Sequence, residues 1–176
     1  MTGPVTAKNP ELNHMDENNE DITQSLVATF MIDERYYGIS TSVVREVVRV
    51  GEITPVHHSP DFILGIMNLR GRIVTVIDLG RKLCRNSLEV SGQSRIFIAE
   101  WKQEHVGLLV DRVGEVVPFE EEDLRPAPEN LPANQAGMLH GVFHAGSILV
   151  GLLNLDTILD DSDQQKERLL QNESHK

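Results

Sequence analysis

Ile63-Leu64-Gly65-Ile66-Met67-Asn68-Leu69-Arg70-Gly71-Arg72-Ile73-Val74-Thr75-Val76-Ile77-Asp78 is an apolar run, a polar break and a second apolar run. Asn68, Arg70, Gly71 and Arg72 make the break, and Gly71 tolerates the positive φ of a tight hairpin turn. Two runs this short and this continuously apolar are expected as strands in a packed core. An arginine at the tip of such a hairpin carries a permanent planar charge that asks for a carboxylate, a carbonyl or a partner molecule. The plain alternative is a solvated turn cation.

The same pattern occurs twice. A shift of 76 places residues 63–83 on 139–159 without a gap, with Gly65 on Gly141, Asp78 on Asn154 and Leu83 on Leu159. A shift of 69 places Gly38 on Gly107 and the run Val44-Arg45-Glu46-Val47-Val48 on Val113-Gly114-Glu115-Val116-Val117. Two matches in the same chain order imply one unit used twice, not a long repeat array. Glu46 has its counterpart in Glu115, but Arg70 falls on Gly146. A Glu46–Arg70 pair would therefore exist in one half only, which points to a function beyond holding the fold.

Around these matches the chain reads as short strands. Residues 26–32 and 36–39 flank the polar Asp33-Glu34-Arg35 and form a hairpin. Residues 95–101 and 106–110 form another, and 113–119 continue as a strand ended by Pro118. Residues 138–143 and 148–153 mirror the opening hairpin. Residues 79–83 and 155–159 are short helical turns capped by Asp78 and Asn154. Residues 41–50 are ambiguous: they are β-branched throughout, yet Val43, Val47 and Val50 recur at helical spacing and Ser40 and Thr41 are good N-caps. The expectation is a short helix with Glu46 half-buried at the edge of its apolar stripe. Residues 120–132 are acidic and hold three prolines, as a loop does. The fold class expected is mainly β, two small antiparallel barrels with short helices.

The domain division expected is an acidic disordered tail over 1–24, a duplicated domain over 25–160 and a polar tail over 161–176. The first unit spans about 25–90 and the second 91–160, with terminal strands able to exchange. In the second tail Leu169-Leu170, within 164–171, can seat a short helical turn against the domain. Residues 1–24 are too polar to offset chain entropy by burial and should be flexible, which backbone order parameters as high as those of the strands would refute.

The 176 residues carry a formal charge of −11 and 40% hydrophobic residues. That balance excludes a nucleic-acid partner, whose phosphates demand clustered Lys and Arg. It equally disfavours an anionic membrane surface. No apolar run approaches the about 20 residues of a membrane span, no basic-then-apolar start marks a secretory signal, and the single Cys84 forms no disulfide framework. A cytoplasmic protein without membrane insertion is the simplest reading.

Reactive constellations are missing. There is no glycine loop followed by Lys-Ser or Lys-Thr and no Gly-x-Ser-x-Gly elbow. Cys84, with Arg81, Lys82 and Arg85 nearby, reads as a small apolar filler. The histidines His57, His58, His140 and His144 lack a Cys or Glu at metal-ligand spacing, and His144 marks a hairpin turn. Asp111 reads as a turn or cap residue, not a general base. The expectations are no catalytic residue, no metal and no cofactor: a binding module, not an enzyme.

Taken in order, Tyr37-Gly38-Ile39, Val44-Arg45-Glu46-Val47, Asn68-Leu69-Arg70-Gly71, Val76-Ile77-Asp78-Leu79, Val106-Gly107-Leu108-Leu109-Val110-Asp111, Gly137-Met138-Leu139 and Leu152-Leu153-Asn154-Leu155 resemble the CheW family of chemotaxis coupling proteins. The resemblance runs from about Leu26 to Leu159. It implies two five-stranded Src-homology-3-like barrels and a non-enzymatic adaptor. Its partners would be the regulatory domain of a CheA-type histidine kinase and the cytoplasmic tip of a chemoreceptor, held in one array. It implies that Val44 and Glu46 lie on a receptor-side helix and that Asn68, Arg70 and Gly71 form the matching turn. The long acidic leader leaves a specialised pathway open, such as surface sensing or motility by pili. A small-molecule-binding β-barrel sensor is the reading from another class.

Overall fold

The computed structural model describes residues 24–84 and 86–160, apart from the side chain of Cys84. The expectations for residues 1–23, for the Cys84 thiol and for 161–176 lie outside the described residues. Among the described residues ten strands run in chain order: β1 Ser25–Ile32, β2 Arg35–Ser40, β3 Val44–Arg49, β4 Ile63–Leu69, β5 Arg72–Asp78, β6 Arg95–Trp101, β7 Glu104–Val110, β8 Arg112–Phe119, β9 Leu139–Ala145 and β10 Ile148–Leu153. Helix α1 covers Leu79–Cys84, α2 covers Ala133–Ala136, and residues 155–160 are helical. The fold is mainly β, with two five-stranded sheets that correspond to two packed Src-homology-3-like barrels.

The sheets interleave the two halves of the chain. One has the order β8-β1-β2-β10-β9 and the other β3-β6-β7-β5-β4. The chain leaves the first sheet after β2, where the Thr41 N–H donates to the Leu26 carbonyl at 2.9 Å, and β3 joins β6 in the second sheet. In return β8 crosses back to pair with β1.

The duplication is carried down to single hydrogen bonds. Thr54 bridges Ile66 as Arg125 bridges Val142. The Asp78 N–H donates to the Phe62 carbonyl, and the Asn154 N–H to the Met138 carbonyl, both at 2.8 Å. The parallel pairings match as well, Val76 with Gly107 and Leu152 with Gly38. Gly65 and Gly141 share φ values of 148° and 153°. A Cβ at either would run into the carbonyl of Thr54 or Arg125, so these positions require glycine.

Three cores result. Met67, Val74, Val76, Ile96, Ile98 and Leu109 fill one barrel, and Val27, Phe119, Phe143, Val150 and Leu152 fill the other. The largest core lies between them and includes Phe30, Ile39, Phe97, Leu108, Leu153 and Ile158. Successive residues of the central strands alternate between barrel and interface: Ile96 and Ile98 point into the barrel, Phe97 and Ala99 towards the other sheet. Burial on both faces explains why the strands read as unbroken apolar runs.

The expected helix over 41–50 is overturned. Residues 41–43 are a turn and Val44–Arg49 is a strand. Val47 and Val48 find partners in Phe97 and Ile96, and that cross-strand packing of β-branched side chains outweighs the helical spacing. The capping chemistry is spent on the turn, where the Ser42 N–H donates to Ser40 Oγ at 3.3 Å. The other helical turns form as expected. Asp78 Oδ1 accepts from the Arg81 N–H at 3.1 Å and Asn154 Oδ1 from the Thr157 N–H at 3.3 Å. Asp111 is a cap, its Oδ2 accepting from the Asp33 N–H at 2.8 Å. No helix among the described residues is long and apolar enough to cross a membrane.

Candidate docking surface

The β4–β5 hairpin turns through Arg70 and Gly71, both at positive φ (51° and 83°). Leu69 pairs with Arg72, so the loop has two residues, and positive φ at both is the type I′ geometry that suits a twisted hairpin. Asn68 holds the turn from the side, its Oδ1 accepting from the Gly71 N–H at 2.8 Å. This places the Arg70 side chain at the open edge of the barrel.

β3 and β4 are the two edge strands of their sheet, and Arg70 ties them together. Its Nη1 and Nη2 donate to Glu46 Oε1 and Oε2 at 2.9 and 2.8 Å. The parallel two-bond geometry fixes both planes. Glu46 retains 29% side-chain exposure and Arg70 75%, so the fork is a surface feature on a half-buried carboxylate. In the other barrel Glu115 keeps its place on β8, but Gly146 stands where Arg70 would be.

An apolar strip lies beside the fork. β3 carries a bulge between Val44 and Glu46, and β8 carries its counterpart between Val113 and Val116, opposite Ala28–Phe30 of β1. Beyond the bulges Val47 faces Phe97 and Val116 faces Ala28, with Val113 opposite Phe30. The Phe30 and Phe97 rings meet across the interface with centroids 5.1 Å apart. Val47 and Val113 thus flank one end of the inter-barrel core and remain 40% exposed, with Val116 57% exposed. Leu26, opposite Pro118, extends the strip on the β8 side.

The chain matches the CheW-like domain family over residues 26–163. It belongs to the CheW family. It is 28% identical over 165 residues to the chemotaxis protein CheW of Treponema pallidum, an alignment that covers 89% of this chain and 95% of that one. It is 31% identical over 135 residues to the chemotaxis protein CheW of Thermotoga maritima, covering 77% and 87%. The crystal structure of the scaffolding protein TtCheW from Thermoanaerobacter tengcongensis superposes with a TM-score of 0.70 at 30% identity, covering 86% of this chain and 93% of that chain.

In this CheW-family chain, four of the five residues singled out by sequence come together: Glu46, Asn68, Arg70 and Gly71. Val44 does not join them. It sits across the bulge, opposite Ala99, and packs against the core between the barrels. Val47, Val113, Val116 and Leu26 escaped the sequence reading. The shift of 69 that aligns Val44 and Val47 with Val113 and Val116 was the signal that pointed to them. Arg45, next to Glu46 on the outer face, forms an ion pair with Glu100 of β6. Of the cations near Cys84 in the sequence, Arg81 Nη1 donates to the Asp61 carbonyl at 2.6 Å and the Lys82 ammonium lies 4.2 Å from the Phe62 ring centroid, while Arg85 lies outside the described residues.

Proposed function

We propose that this chain is a non-enzymatic adaptor of a chemosensory array that couples chemoreceptors to a CheA-type histidine kinase in the cytoplasm. The observation that carries the reading is the Glu46–Arg70 fork, built in only one of two matched barrels and set beside exposed valines. A fold-stabilising pair would be expected in both. The strip of Val47, Val113, Val116 and Leu26 offers an apolar landing for the cytoplasmic tip of a receptor, and Asn68, Arg70 and Gly71 set its polar border. Val44 supports the strip from beneath. The regulatory domain of the kinase is assigned to the exposed barrel edges, where Ile73 and Leu149 stand exposed at matching hairpin positions.

The assignment is tested with Arg70→Ala. Because the guanidinium is largely solvated, the loss of stability should stay within roughly 0–1 kcal/mol. The variant should melt close to the wild type and still retain the kinase in a pull-down, while receptor control of kinase activity falls away. Glu46→Ala should behave alike, and the double variant should be no worse than either, as residues acting as one unit require. Wild-type coupling in Arg70→Ala, or its complete unfolding, would show that the fork has another role.

A further inference from the structure

A groove of about 520 Å³ opens between the barrels at the C-terminal end of β8. Ile39, Phe119 and Leu155 belong to its apolar floor, and Glu100, Glu121 and Asp156 to its acidic rim. Two of these carboxylates are already engaged. Glu100 is paired with Arg45, and Asp156 Oδ1 accepts from Trp101 Nε1–H at 2.8 Å. Glu121 has no ion-pair partner among the described residues and stands in the exposed acidic run of residues 120–123. The neighbouring cations do not neutralise it. Lys102 Nζ donates to Asp160 Oδ1 at 2.7 Å. Arg125, the single cation of residues 120–132, donates to the Glu122 and Leu124 carbonyls at 2.7 and 3.2 Å.

The groove continues the apolar strip. Val43 on its wall precedes Val44, and Phe119 on its floor follows Pro118, which faces Leu26. One seam therefore runs from Val47 and Val113 past Val116 and Leu26 into the groove. From Val113 to Phe119 it measures roughly 20 Å along β8, the length of about 13 helical residues. The bulges in β3 and β8 interrupt the row of backbone groups that an added strand would need. A helix satisfies its own backbone and can lie along the seam by its side chains alone.

We propose that the receptor segment accepted by this chain is a helix with a lysine or arginine about seven residues, or two turns, from the apolar side chain seated on Val116, and that Glu121 reads this cation. The proposal rests on the reading of the valine strip as the receptor's landing. The valines hold the helix. Glu121 sets its register and selects among receptors, as charges at an interface rim do.

The test uses the full-length chain and a soluble fragment of a chemoreceptor tip from the same genome. Affinity is measured by calorimetry at about 50 and about 300 mM salt, which separates screened from apolar contacts, with melting curves run alongside. Val116→Arg should abolish binding at both salts. Glu121→Lys turns attraction into repulsion and should weaken binding roughly tenfold at low salt, with little effect at high salt. Glu121→Gln, which only removes the charge, should lose roughly threefold at low salt. The basic residues of the fragment, changed to glutamate one at a time, should include one whose loss Glu121→Lys restores. Unaltered binding by both Glu121 variants beside a failing Val116→Arg would overturn the proposal and leave the receptor strip standing. So would a loss in Glu121→Lys that no substitution in the fragment restores. No binding by the wild type, or unaltered binding in all three variants, would overturn the reading of the strip and the proposal with it.

Discussion

Replacing Phe97 by alanine should lower the unfolding free energy by about 3–5 kcal/mol, the usual cost of deleting a large aromatic from a packed core. Phe97 is 1% exposed, and its ring meets that of Phe30 at an interplanar angle of 51°. The repeat explains why this site should be so sensitive. Under the shift of 69, Phe97 stands where the first half has Ala28, and Phe30 where the second has Ala99. Each barrel thus offers one phenylalanine and one alanine to a near-symmetric interface, and large side chains interdigitate with small ones. Neither sheet can relax into the space left by Phe97 without parting from the other. Urea unfolding followed by circular dichroism should show a lower midpoint and a single transition. Val116→Ala, on the exposed strip, should change stability by no more than about 0.5 kcal/mol. A loss below about 1 kcal/mol for Phe97→Ala would mean that the barrels are held together elsewhere.

Asp78→Ala should cost about 2–4 kcal/mol by leaving two backbone donors without their acceptor. Asp78 is fully buried. Its Oδ1 accepts from the Arg81 N–H and its Oδ2 from the Leu88 N–H, both at 3.1 Å, and Arg81 Nε lies 3.6 Å away. One carboxylate therefore caps α1 and anchors the return of the chain towards β6. Asn154 performs only the first of these tasks in the second half. Asp78→Asn should accordingly be milder, since one oxygen can still cap while the amide nitrogen faces the Leu88 N–H. Thermal melts of Asp78→Ala and Asp78→Asn on one preparation decide the point. Equal melting temperatures for the two would show that the cap on the Arg81 N–H contributes nothing.

The β4–β5 hairpin was legible because two signals agreed there, apolar runs of strand length and an Asn-x-Arg-Gly break. Residues 41–50 were misread because the signals conflicted: helical spacing and good caps against β-branched composition. The conflict is settled by β6, some 50 residues away, which offers Val47 and Val48 a ladder that no local propensity reveals. The exposed valines were hidden for a related reason. Val116 and the buried Val150 look alike in sequence, and only sheet position leaves the first on a free edge.

By itself the sequence determined the duplicated unit, the two turns that cap their helices, the pairing of Glu46 with Arg70 and the single-sided loss of that arginine, because each rests on residue identity at short or repeated spacing. Only the tertiary structure decided that β3 and β8 change sheets and that Val47 and Val113 flank one seam. It alone showed that Asp156 and Asp160 are tied to Trp101 and Lys102. Those outcomes depend on which edge strand meets which edge. Two nearly equivalent halves can pair their edges within or between themselves with almost the same local contacts. The choice is made by long-range packing across the Phe30–Phe97 interface.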